Sequence, residues 1–346
     1  MKKEYDIQRE VIRSDLDDFA MANHMQANTL HWTDTTNGFS EDLKFIAQNN
    51  ERTLFVRCHM GKDEEKLAQQ IEFMKFLKAC GFPVPTLIGE NPLFKGAIGI
   101  YVAYEHIEGR VSSDPNGLSS HDLRTAGQLL GQLHLFSREF GRIDNIPLGT
   151  HLDTDHQLVI VGQVERILGS KDVFDEVDRL VSGMLPKKKE ELLHVAANPS
   201  ENRRAALLPQ IMIHGDYHGA NLIFDDVAIK AVIDWEDSTF WSRAAEVQAS
   251  IAMNCKTQPT EHFNVPIDLI RAREFLDAYE EVYPLSAEEK ILMADMSRLD
   301  ALRLDFLLGN HYLKGRRMDE LMPSDPSYWF WWKNNIDQYR EIVLRI

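Results

Sequence analysis

Between residues 29 and 58 the chain alternates apolar and polar positions with the period of strands. Residues 29–40 predict a strand, a polar turn and the start of a second strand. Leu43 to Ala47 and Thr53 to Cys58 complete an antiparallel pattern around a polar turn at 48–51. Over residues 63–80 the spacing becomes helical, with Leu67, Ile71, Met74 and Leu77 on one face and Gly81 as the stop. The two prolines of Phe82-Pro-Val-Pro85 then force an extended chain. Residues 98–107 form a buried-strand run. Helical spacing returns over 119–140, where Ser120 is a candidate N-cap, and dominates 150–208. Residues 211–224 and 231–237 predict a strand, a polar loop, a strand, a tight Asp225-Asp226 turn and a third strand ending in acids. The chain opens with one or two helices in residues 1–27 and closes with three, at 267–283, 287–313 and 327–345.

At 346 residues there is enough chain for two separate cores. A net charge of −16 argues against nucleic acid or an anionic membrane as partner, because no basic surplus exists to displace counterions. The three cysteines, Cys58, Cys80 and Cys255, are scattered and read as reduced thiols. Neither a signal-peptide core nor a spanning apolar stretch is evident, so a cytoplasmic location is expected.

The chemistry concentrates in the strand–loop–strand region. Asp216, Asn221 and Asp234 emerge from strand ends expected to lie close together. One carboxylate can orient a hydroxyl and take its proton. An amide oxygen and a second carboxylate are hard ligands suited to Mg²⁺. A lone His-x-Asp is common, and a carboxylate in such a loop is usually a turn former. A zinc site through His214, Asp216 and His218 is a competing use of the same residues, without a second His/Cys cluster to support it.

The combination His214-Gly-Asp-Tyr-His-Gly-Ala-Asn221, followed by a strand, a turn and Ile233-Asp-Trp235, resembles the catalytic and metal loops of the aminoglycoside phosphotransferase, choline kinase and homoserine kinase superfamily, relatives of the protein kinases. That resemblance implies an α+β, two-lobe protein-kinase-like fold. Residues 1–108 would be a small antiparallel-sheet lobe for nucleotide, and 109–346 a larger, mainly helical lobe for catalysis and acceptor. It implies ATP (or GTP) with Mg²⁺, and transfer of the γ-phosphoryl to a hydroxyl of a small molecule, amino-bearing or sugar-like, while the charge and the lack of a spanning stretch leave no nucleic acid or membrane partner expected. Asp216 would be the catalytic base, and Asn221 and Asp234 the metal ligands. Arg57, in Thr53-Leu-Phe-Val-Arg57, would grip the phosphates, where an unrelated protein would have a surface cation. Glu72 or Glu65 of the 63–80 helix would pair with it. The turn holding Asn37 and Gly38 would cover the phosphates, and the backbone of Glu105, His106 and Ile107 would bind the purine edge. Glu236 and Asp237 are further acids, read as attracting a cationic or amino-bearing acceptor, holding metal, or facing solvent, and Glu246 joins them as attracting such an acceptor or facing solvent. Relatives usually carry Asp where Glu246 stands, and Phe240 and Trp241 are extra. A Ser/Thr protein kinase and a silent nucleotide-binding regulator are the alternatives of other classes.

Overall fold

The computed structural model describes residues 2–23, 30–35, 42–89, 92–112, 118–141, 151–256, 267–316, 318–319, 321–322 and 324–344. The turn with Asn37 and Gly38 lies outside them. The chain divides into two compact units, Met1–Arg110 with Leu222–Glu236, and Val111–Asn221 with Asp237–Ile346.

The first unit begins with helix α1 (Lys2–Ala22) and continues through β1 (His31–Thr35), β2 (Leu43–Gln48), β3 (Thr53–His59), helix α2 (Glu64–Ala79), β4 (Phe94–Lys95) and β5 (Ile100–Glu105). The strands make an antiparallel sheet in the order β1-β2-β3-β5-β4. Alternation along β3 sorts its side chains. Leu54, Val56 and Cys58 enter a core with Leu16, Phe19 and Ala20 of α1, while Arg57 and His59 point to the other face. Asp15 of α1 accepts from Tyr101 Oη and from the N–H groups of Ala97 and Ile98, fixing the helix on the sheet.

Asp63 caps α2 by accepting from Glu65 N. The helix ends at Gly81, whose φ of 81° suits glycine, with Phe82 N–H bonded back to Leu77 O. The chain leaves the unit at the short strand β6 (Arg110–Val111). It returns later as β8 (Leu222–Phe224) and β9 (Ile229–Val232), an antiparallel hairpin. Trp235, just beyond β9, is buried edge-on between Phe73 and Phe82, with its indole N–H on Val232 O.

In the second unit lie α3 (Ser120–Ser137), α4 (Thr154–Gly169), α5 (Glu176–Ala197), α6 (Ser200–Ala206), β7 (Gln210–Ile213), β10 (Thr239–Ser242), α7 (Arg243–Asn254), α8 (Leu269–Glu280), α9 (Ala287–Asp300) and α10 (Ser324–Leu344). Ser119, one residue before the expected cap, caps α3 by accepting from Asp122 N. Gly127 lets α3 lie directly on α8, since a Cβ there would come within 2.6 Å of Phe275 O. Two expectations change. Phe240 and Trp241 form a strand, β10, paired with β7, because their alternation completes an antiparallel ladder. The helix expected over 287–313 stops at Asp300 and resumes as a π-helix, Asp305–Leu313. Trp329 and Trp332 of the C-terminal aromatic cluster are buried, so these two rings are core.

Candidate active site

The candidate residues fall into two groups, one in each unit. In the second unit, β7 delivers the chain into the loop 214–221. Gly215 has φ of 87°, and a Cβ there would collide with the Asp237 carbonyl, so only glycine fits. Glu246 of α7 is buried and holds the loop start. Its Oε2 accepts from His214 N at 3.1 Å and is bonded to His134 Nε2 at 2.7 Å, while Oε1 accepts from Gly215 N. His134 Nδ1 reaches Tyr279 Oη at 2.9 Å, and burial pushes the His134 pKa down against the pull of Glu246. At the far end, Tyr217 Oη donates to Ala126 O, and Gly219 N donates to Asn254 Oδ1.

That frame presents Asp216. Burial raises its pKa, but the His218 hydrogen bond, the charges of His218 and His214 and the Asn221 hydrogen bond outweigh this, leaving it below the usual carboxylate range. Asn221 Nδ2 donates to Asp216 O at 2.9 Å and to Asp216 Oδ2 at 3.0 Å. Its amide nitrogen is thus turned towards Asp216, and its Oδ1 takes no part in those bonds. His218 Nε2 stands 3.3 Å from Asp216 Oδ2, a partner the sequence left without a role. His214 is fully buried and accepts from Asp216 N through Nδ1, so it braces the loop. Among the described residues, His214, Asp216 and His218 do not form a metal-binding group.

In the first unit, Arg57 is the centre, with its side chain only 5% exposed. Its Nε meets Asp42 at 2.9 Å, Nη1 meets Asp234 at 2.6 Å and Nη2 meets Glu236 at 2.7 Å. Neither α2 acid is among these partners. Glu72 pairs with Lys75 on the exposed face of the helix, and Glu65 is exposed. The helix reaches this group instead through Gln70, whose amide donates to Glu236 O. Asp234 has φ of 65° and, among the described residues, is alone with positive φ outside glycine. Such a conformation costs of order 1–2 kcal/mol and is typical of functional positions.

Glu236 is pushed up in pKa by burial, more than Arg57 lowers it. Its Oε2 is buried without a hydrogen bond, 3.5 Å from Lys62 Nζ. Asp234 and the unsatisfied Glu236 oxygen are hard carboxylate donors of the kind Mg²⁺ takes, so these residues of the first unit fit that ion. Asp42 and His59 also bring ligand atoms near Glu236, but both are bonded to each other, and Asp42 to Arg57 as well.

Glu105 N donates to Thr86 O and His106 N to Thr53 O, so these two N–H groups already have acceptors. Glu105, His106 and Ile107 line a cavity of about 280 Å³ with Lys230, below the usual size of a ligand pocket. Glu236 and Glu246 both have internal partners, which removes them as solvent-facing attractors for an amine. Asp42, His59 and the bracing role of Glu246 escaped the sequence reading. Asp42 precedes the strand and carries no motif, and only the β2–β3 register exposes it.

The second unit carries an ionised carboxylate braced in a strand-end loop, and the first carries acids gathered by a buried guanidinium; both are residue types that phosphoryl transfer uses. Residues 31–285 match the model of the phosphotransferase enzyme family, and the chain belongs to that family of small-molecule kinases. The homoserine kinase of Zymomonas mobilis subsp. mobilis is 23% identical over 240 residues, 69% of this chain and 66% of its own length. The homoserine kinase of Polaromonas naphthalenivorans is 24% identical over 311 residues, 87% and 84% of the two chains. Among solved structures, an aminoglycoside phosphotransferase from Alicyclobacillus acidocaldarius shares the fold at a TM-score of 0.64, with 11% identity, covering 92% of this chain and 94% of that one. An amicoumacin kinase in complex with AMP-PNP, Ca²⁺ and Ami follows at 0.60, with 13% identity and coverage of 98% and 96%. Among the described residues, no helix is long and apolar enough to cross a membrane.

Proposed function

We propose that this phosphotransferase moves the γ-phosphoryl group of ATP (or GTP) to a hydroxyl of a small, amino-bearing molecule. The observation that carries the reading is the braced Asp216–Asn221 pair, with Asp216 held ionised and its side chain 43% exposed. Asp216 orients the acceptor hydroxyl and takes its proton. His218 and Asn221 hold the carboxylate at the required angle. Asn221 and Asp234, with Glu236, would hold Mg²⁺, which would supply charge neutralisation for the transferring phosphates. Arg57 binds the phosphates through its Nη groups. The 1–108 region handles nucleotide, with the turn at Asn37 and Gly38 over the phosphates and the Glu105–Ile107 backbone at the purine edge. The remainder carries the catalytic and metal-holding residues and binds the acceptor.

The amine is supported by the names of the relatives, homoserine kinases above all, and by the acidic balance of the chain. ADP release should be measured with homoserine, choline, ethanolamine, an aminoglycoside, a neutral sugar and a Ser/Thr peptide. Turnover with an amino-bearing alcohol, lost in Asp216→Asn, is expected. Preference for the neutral sugar removes the amine from the reading, and turnover of the peptide alone replaces it with a protein kinase.

A further inference from the structure

We propose that Asp42, at the threshold of β2, is the positioning carboxylate for Arg57, in the role that family resemblance gives to an acid of α2. The inference rests on the reading of Arg57 as the phosphate-binding base. The β2–β3 register pairs Leu43 with Cys58, which sets Asp42 opposite His59. Arg57 lies two residues before His59, on the same face of β3. Asp42 has a side chain 1% exposed, and its Oδ2 takes both Arg57 Nε and His59 Nδ1 at 2.9 Å. Its Oδ1 accepts from Met60 N at 3.3 Å. A carboxylate bonded to three groups from one strand end has no freedom to swing.

The point of attachment matters. Asp42 holds Nε and leaves both Nη groups to face Asp234 and Glu236. The guanidinium plane is therefore fixed while its terminal nitrogens can exchange partners. Lysine carries its three donors on one nitrogen, whereas arginine separates the Nε that is held from the Nη groups that face outward, which suits arginine to this position. The α2 acids offer no comparable hold, since the Glu72 side chain is 64% exposed and bonded to Lys75.

Binding of Mg·AMP-PNP to the full chain by calorimetry, with KM for ATP and kcat, tests the assignment. Asp42→Asn is expected to weaken nucleotide binding about tenfold, the size of one lost charge-assisted hydrogen bond. KM for ATP should rise with it, and kcat should change less. Glu72→Gln should bind as the wild type does, and Arg57→Lys should resemble Asp42→Asn. Mere loosening of the fold would lower the melting temperature and leave the Kd of the folded protein unchanged. Arg57→Gln separates the two readings. Weakened binding there with wild-type binding in Asp42→Asn overturns the role of Asp42 alone. An unchanged Kd in Arg57→Gln overturns the phosphate-binding reading beneath it. Should Asp42→Asn not fold, Asp42→Ser decides, because its hydroxyl can still accept from a backbone N–H while the carboxylate on Arg57 Nε is gone; an unchanged Kd in that variant overturns the proposal.

Discussion

Asp216 is half exposed, and its Oδ2 is held by Asn221 and approached by His218. Replacing it with asparagine preserves shape and removes the proton acceptor. Asp216→Asn is expected to keep nucleotide affinity and lose roughly 10²–10⁴-fold in kcat, as read by steady-state turnover with the true acceptor. Wild-type turnover would require another base. At this scale the sequence was informative where chemistry forces residue types into fixed spacing. His214, Asp216 and Asn221 share one loop, and Asp234 ends the strand after it. The partners of Arg57 were not legible. A helix acid and a strand-edge acid look alike in sequence, and only the β2–β3 register selects Asp42 over Glu72. Glu246 reads in sequence as an acid near a cationic acceptor or facing solvent, because nothing local reveals that its carboxylate is buried against His134.

Elements hold these residues through a few buried polar contacts. Glu246 joins α3, α7 and the 214–221 loop by accepting from two loop N–H groups and bonding His134. Glu246→Ala should cost roughly 3 kcal/mol in urea unfolding, because it orphans buried donors. An exposed acid would give a change near zero. The next tie is Arg243, whose guanidinium is paired bidentately with Glu289 of α9 and lies 3.8 Å over the Tyr283 ring. Burial raises the Glu289 pKa, but Arg243 and the Ser286 contacts outweigh it, so the folded value lies below the ordinary one. A depressed carboxylate stabilises the fold above its unfolded pKa, and that contribution is lost as pH falls through the folded value. Glu289→Gln should therefore be clearly less stable than wild type at about pH 7, with the gap closing towards about pH 3 in paired denaturation curves. Periodicity predicted most of these elements. It missed β10, since Thr239–Ser242 is only four residues long and runs straight into α7. It also ran α9 through residues 301–304, where apolar spacing continues but the helix does not.

The whole molecule departs from the order of its sequence. Residues 1–108 were expected to form one lobe, yet Leu222–Glu236 belongs to the same compact unit as Met1–Arg110. That late segment brings Asp234 and Glu236 to Arg57 and packs Trp235 between Phe73 and Phe82. A ribosome making this protein must therefore synthesise residues 111–221 before the first unit can close, and until then Arg57 is a buried-site cation without two of its counter-charges. A fragment of residues 1–112 should accordingly lack a cooperative thermal transition. Joining residues 1–110 to 222–236 by a short Gly/Ser linker should restore one, because Arg110 already lies 5.0 Å over the Phe224 ring. A fragment that melts cooperatively without the late segment would mean that the first unit is complete at birth. If it is not, a premature stop anywhere before residue 236 yields no salvageable half, and the protein's integrity is decided only after two thirds of it has been translated.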